Sequence, residues 1–231
     1  MKIIYRISDA GYNKVKPDYI NNETCLKNFC NVFFDHIHDI LIIADNCSTS
    51  TIDMINKYID LVNIIKVSVG NGAGTFNLAL DNALTYADDE IVYFVENDYL
   101  HKQMSPNVLR EGFDLGASFV ALYDHPDKYL DPSLGGNPYC EGGAEDTRVY
   151  LTESCHWKIT NSTTMTFASK VSTLKRVEST LRKHTMGSYP DDFKMFLELR
   201  EQNELLISSI PGYSTHGETK WLAPLTNWQQ I

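Results

Sequence analysis

The chain has 231 residues, enough for one large domain with a sizeable core. Its 20 basic and 30 acidic residues give a net charge of -10, which argues against non-specific binding to nucleic acid or anionic membrane, since both feed on clustered cations. No apolar run is long enough to span a bilayer, so no transmembrane segment is expected.

The opening MKIIYRISDA carries Arg6 and Asp9 where a secretory leader would be apolar. The five cysteines, Cys25, Cys30, Cys47, Cys140 and Cys155, are odd in number and form no C-x-x-C pair. Reduced thiols and a cytoplasmic location are the expectation. The sequons at Asn22, Asn46 and Asn161 then read as accidental.

Residues 2–8 alternate as a strand. Leu26, Phe29, Cys30, Phe33 and Phe34 share one helical face by their spacing. DILIIAD is a short buried strand, and STSTIDMINKYI a helix capped by Ser48 or Ser50. NIIKVSV, GTFNLALDNALTYA and EIVYFV continue as strand, helix, strand. This alternation predicts an α/β fold, a mostly parallel sheet with helices on both faces. Beyond residue 100, PNVLREGFDLG, KVSTLKRVESTLRKH and PDDFKMFLELREQN read as helices. ASFVALYD, RVYLTES, TMTFAS and ELLISSI read as strands. Residues 131–146, rich in Gly and Pro, form a long loop that suits a lid.

The strand ends are polar. The first exits into Arg6-Ile7-Ser8-Asp9, the second into Asp45-Asn46, the third into Gly70-Asn71-Gly72 and the fourth into Glu96-Asn97-Asp98. One such end reads as an ordinary turn. Four together read better as one crevice, because ligands of open parallel sheets sit outside the carboxyl ends of the strands. The acids that follow VYFV are costly at the mouth of an apolar strand unless solvent, a cation or a donor meets them. GNGAGT at 70–75 lacks the Lys-[ST] of a P-loop and sits in the wrong place for a dinucleotide fingerprint. It provides a tight turn and a helix N-terminus, or a plain strand-to-helix connection.

IADNCSTSTIDMI after the second strand, GNGAGTFNLAL after the third and an acid-x-Asp after the fourth together resemble the GT-A glycosyltransferases, especially the family 2-like group. Within that group the chain is similar to enzymes that decorate surface glycans, including those of large algal viruses. The resemblance is carried by residues 2–100 and by two short later elements. It implies a single Rossmann-like GT-A domain, with a nucleotide-binding half over 1–100 and an acceptor-binding half over 101–231.

The resemblance also implies roles. Ile7, Ser8 and Asp9 would border the nucleotide at the end of the first strand, and Asp45 would read the base or ribose. Asn71, Gly72 and Asn77 would line the nucleotide, as would Glu96 and Asn97. Asp98 would hold a divalent ion, Mn²⁺ or Mg²⁺, with His216 of GYSTHGETKW as second ligand, since imidazole suits Mn²⁺. Glu96 departs from the family's Asp, so its longer side chain could meet ribose or a metal-bound water instead. Asp191-Asp192 would be the ED-type element, with Asp192 as catalytic base. Read from the residues alone, the same stretch is a helix start, with a Ser188-x-x-Asp191 box and Pro190 in the first turn. Trp157 and Trp221 suit either a sugar platform or the core.

The implied activity is metal-dependent transfer of a sugar from a nucleoside diphosphate donor, a UDP-sugar, to a hydroxyl of a glycan or glycoprotein acceptor, with inversion. The alternatives are a sugar-phosphate nucleotidyltransferase, for which SDAGYNK is a poor loop, and a non-catalytic module binding nucleotide-sugar or glycan.

Overall fold

Alternating apolar side chains build the first strand, β1 (Lys2–Ser8), in which Ile3, Tyr5 and Ile7 pack on one face of the sheet and Ile4 on the other. The computed structural model describes residues 1–11 and 14–231. It continues as α1 (Asn22–Val32), β2 (Ile40–Asp45), α2 (Thr49–Ile55), β3 (Ile64–Val67), α3 (Gly72–Ala83) and β4 (Ile91–Glu96). Next come β5 (Tyr99–His101), α4 (Ser105–Asp114), β6 (Phe119–Ala121), β7 (Val149–Leu151), β8 (His156–Ile159) and β9 (Phe167–Lys170). The chain ends with α5 (Val171–Lys183), α6 (Asp192–Glu201), β10 (Leu206–Ile210), β11 (Ser214–His216) and short 3₁₀ turns.

The main sheet has the order β3-β2-β1-β4-β9-β6-β10-β8-β7. β9 lies antiparallel between β4 and β6, and β8 antiparallel between β10 and β7, while the remaining pairs are parallel. The predicted mostly parallel α/β sheet is therefore present, with two reversed strands. One face buries Tyr5, Phe29, Phe33, Tyr93, Leu109 and Trp157. The other buries Ile4, Phe76, Phe94, Phe119, Phe167 and Phe196. Period-2 alternation sends neighbouring strand residues to opposite cores, so both faces are covered by helices.

Caps set the helix starts. Asn21 and Thr24 form a capping box on α1, Ser48 caps α2, and Asn71 caps α3 through the Gly74 amide. α1 ends at Val32, so Phe34 falls in the following turn and is exposed, unlike the helical face it was predicted to share. At α6 the cap is Asp191 itself, which accepts from the Lys194 amide; the expected Ser188 box and first-turn Pro190 both lie before the cap.

Residues 131–146 are tied down from within. The Asp131 carboxylate accepts from the amides of Ser133 and Gly142, Asn137 and Asn161 exchange side-chain amide bonds, and Cys140 is buried. All five cysteines are free, and burial pushes the Cys25 and Cys30 thiols up to about 12. Among the described residues no helix is long and apolar enough to cross a membrane.

Candidate nucleotide-binding site

Four parallel strands end side by side, and their exits enclose a cleft of about 120 Å³. Ile7, Ser8, Asp45, Asn71, Gly72, Glu96, Asn97 and Asp98 of the expected set all line it. Asp9 and Asn77 do not, nor do Asp191, Asp192 and His216. The Asp9 carboxylate accepts from the Ser48 amide and Thr51 hydroxyl at the start of α2. The Asn77 side chain faces the end of α5, donating to the Thr185 carbonyl and accepting from its hydroxyl.

Arg6, which sequence reasoning recorded only as part of a strand exit, forms the cleft floor and is 4% exposed. Register explains its partner. Arg6 lies opposite Glu96 in the β1–β4 ladder, on the side of the sheet that carries Ile4 and Phe94. Its guanidinium donates to Glu96 Oε1 at 3.1 Å, to the Met165 carbonyl at 3.1 Å and to the Gly72 carbonyl at 3.1 Å. One side chain thus ties β1 to β4, to the segment before β9 and to the start of α3. Burial pushes the Glu96 carboxyl up, Arg6 opposes the rise, and Asp98 adds to it.

The Asp45 carboxylate is engaged by the neighbouring turn. It accepts from the Val69 amide at 2.6 Å and the Gly70 amide at 2.9 Å, and Gly70 turns there with a φ of 78°. Asp45 therefore shapes the GNG turn from beneath while lining the cleft. The Asn97 side-chain amide meets Asn22 Oδ1 at 2.5 Å and so joins the end of β4 to α1.

A two-stranded ribbon creates the other half of the site. β5 starts at Tyr99, directly after Asp98, and pairs antiparallel with β11, with His216 opposite Tyr99. His216 Nε2 comes to 3.3 Å from Asp98 Oδ2, and both residues are buried. Gly217 permits the approach: a Cβ there would lie 2.8 Å from the Asp98 carbonyl oxygen and 2.6 Å from the Ile20 side chain. Lys16 Nζ sits 2.9 Å from Asp98 Oδ2, and Lys14 Nζ 3.0 Å from His216 Nε2. Burial alone would raise the Asp98 carboxyl. The surrounding His216, Lys16 and Lys14 outweigh burial and hold it well below the usual carboxylate range.

The residues present fit a divalent cation. Asp98 and His216 offer an oxygen and a nitrogen donor 3.3 Å apart, each already in contact with a lysine ammonium group. Among the described residues no group of three or more His, Cys, Asp or Glu converges as a metal cage. Two protein donors, completed by phosphate oxygens and water, is the usual way Mg²⁺ or Mn²⁺ is held beside a nucleotide.

Asp191 and Asp192 play different parts. Asp191 caps α6 and contacts Lys194 Nζ at 2.8 Å near solvent. The Asp192 carboxylate turns inward, accepting from the amides of Thr163 (2.7 Å) and Thr164 (3.1 Å) and from the Thr163 hydroxyl (2.7 Å). It clamps a segment in which Thr164 and Met165 adopt φ of 53° and 57°, the segment whose Met165 carbonyl receives Arg6. Trp157 is core, with its indole N–H on Thr152. Trp221 is half-buried against His125.

No protein-family model matches the chain, and no curated protein matches it. Solved structures do. GalNAc-T7 with UDP, GalNAc and Mn²⁺ is similar at TM-score 0.59 and 10% identity, over 96% of this chain and 44% of that one. TarS residues 1–349 from S. aureus gives 0.41 at 14% identity, over 77% and 49% of the two chains. The galactosyltransferase LgtC with donor and acceptor sugar analogs gives 0.43 at 14%, over 85% and 70%. The last two scores are too low to argue from, and the chain spans less than half the length of the GalNAc-T7 chain. At 10% identity the likeness to GalNAc-T7 speaks for architecture, and the architecture of this chain is the GT-A glycosyltransferase fold.

Proposed function

We propose that the chain is a glycosyltransferase that takes a sugar from a nucleoside diphosphate donor, a UDP-sugar, to a hydroxyl of a glycan or glycoprotein acceptor. The observation that carries this reading is the Asp98–His216 pair at 3.3 Å, whose Asp98 lines the strand-end cleft together with Arg6, Lys14 and Lys16. An acidic protein that binds a diphosphate must gather positive groups or recruit a metal, and this cleft brings Arg6, Lys14 and Lys16 together with the carboxylates of Asp45, Glu96 and Asp98. The bound UDP of GalNAc-T7 supports the choice of nucleotide.

Asp98 and His216 would hold Mn²⁺ or Mg²⁺, which supplies charge neutralisation for the departing diphosphate. Arg6 fixes Glu96 and the start of α3 as a rigid floor, and the Asp45-held turn shapes the wall. Asp191 and Asp192, at the start of α6, are the proposed proton acceptors from the glycan hydroxyl, with inversion at the anomeric carbon. The engaged carboxylate of Asp192 favours a second reading, a nucleotide-sugar-binding module without turnover. Calorimetry of UDP with and without Mn²⁺ tests the first claim. Wild type should bind UDP appreciably only with the ion, and Asp98→Ala should lose that dependence. His216→Ala should weaken Mn²⁺ more than Mg²⁺, because imidazole suits the softer ion. Hydrolysis or transfer of UDP-sugar separates the enzyme from the module, and NMR of the product anomer reads the stereochemistry.

A further inference from the structure

Lys14 and Lys16 flank Val15, and the three residues divide by side as an extended segment requires. Val15 is exposed, whereas both lysines line the cleft. The Val15 carbonyl accepts from the Thr219 amide at 2.8 Å, which fastens this segment to the tail just beyond His216. The backbone carrying the lysines is thereby moored, and their long side chains are the parts able to swing.

The two ammonium groups stand against the Asp98–His216 pair. Lys16 meets the Asp98 carboxylate at 2.9 Å, and Lys14 meets His216 Nε2 at 3.0 Å. The same nitrogen, His216 Nε2, also lies 3.3 Å from the Asp98 carboxylate, so the two contacts meet at one pair. We propose that Lys14 and Lys16 act as an exchangeable internal cation. Their contacts set them against Asp98 and His216, the two donors a divalent ion would take; when the ion enters, they pass to the diphosphate. This rests on reading the cleft as a nucleoside diphosphate site.

The exchange follows from charge. A divalent ion cannot share those two donors with two ammonium groups a few ångströms away without strong repulsion, so entry of the ion displaces them. A diphosphate arriving with the ion offers new oxygens in the same cleft, within reach of flexible four-carbon stems. The lysines then oppose the metal when it comes alone and favour the nucleotide once the metal is in place.

The test measures Mn²⁺ binding to the full chain without nucleotide, by the paramagnetic resonance of free Mn²⁺, and then UDP binding at saturating Mn²⁺ by calorimetry. Lys16→Met and Lys14→Met should each tighten Mn²⁺ about fivefold, the scale of one partly exposed ion pair. The same variants should weaken UDP by a similar factor. Lys16→Arg, which keeps the charge, should stay close to wild type in both, and thermal melts confirm that each variant is folded. Unchanged or weaker Mn²⁺ binding in both Met variants overturns the exchange, as does UDP binding that ignores them. Should wild type and variants bind UDP equally well without any ion, the exchange falls while the nucleotide cleft stands. Should none bind either UDP or Mn²⁺, the reading of the cleft falls with it.

Discussion

Arg6 and Glu96 face each other in register across β1 and β4, and their side chains meet at 3.1 Å beneath the cleft. The pair is placed by strand periodicity, at the point where two apolar strands run out of core. Removing the cation alone strands a carboxylate and two backbone carbonyls. Arg6→Met should therefore lower stability by about 2–3 kcal/mol in urea denaturation, and UDP binding should weaken with it. Adding Glu96→Gln should recover part of the loss, giving a coupling energy of at least about 1 kcal/mol in a double-mutant cycle. Strictly additive losses would show that the two residues do not act as a pair.

Asp192→Asn separates clamp from base. One carboxylate oxygen accepts from the Thr163 and Thr164 amides, which an asparagine oxygen can still do, but its NH₂ would then replace the oxygen that accepts from the Thr163 hydroxyl and faces the Met165 amide. The clamp predicts a stability loss of about 1–3 kcal/mol and weaker UDP binding, transmitted through Met165 to Arg6. A base alone predicts turnover down about a hundredfold or more with UDP binding and melting temperature unmoved. Asp191→Asn, at the true cap, should change stability by no more than about 1 kcal/mol, because Asn caps as well as Asp.

Gly217→Ala tests the approach of the ribbon to Asp98. The new methyl would press on the Asp98 carbonyl oxygen at 2.8 Å and part Asp98 from His216. Mn²⁺ affinity should fall about 10–100-fold, the usual effect of disturbing a ligand's support. Gly187→Ala, where a Cβ meets nothing nearer than 3.9 Å, should leave it unchanged.

Acid should destabilise the protein through His101. Burial drops this imidazole to about 3, and it sits beside the Tyr93 hydroxyl at 2.8 Å. Between its ordinary pKa near 6.5 and about 3 the unfolded chain takes up a proton that the folded chain refuses, so stability is full above that window and falls with pH. From pH 6.5 to 5, wild type should lose about 1.5–2 kcal/mol more than His101→Gln in urea denaturation. Equal slopes would mean that His101 gains its proton while folded.

How much of this was legible in the sequence follows from range along the chain. β1, β2 and β4 declare themselves by apolar runs that end abruptly in polar residues, and those ends are the cleft. β5 and β11 are three residues each and pair across most of the second half of the chain, so no local pattern marks them. His216 was found through family likeness alone; its distance from Asp98 needed the ribbon. Arg6 sat in plain view at a strand end, yet its role depends on the β1–β4 register and on Met165 arriving from elsewhere. The inward turn of Asp192 was invisible for a related reason. The left-handed pair Thr164–Met165 carries no glycine or asparagine to announce it.

The ribbon also imposes an order on assembly. β5 follows the first four strands, whereas its partner β11 lies near the end of these 231 residues. A nascent chain can complete β1 to β4, with the floor residues Arg6 and Glu96, long before His216 leaves the ribosome. Until then Asp98 has no imidazole beside it, and only half of the pair is in place. The Asp98–His216 pair thus forms only after the chain from β1 through β11 has emerged.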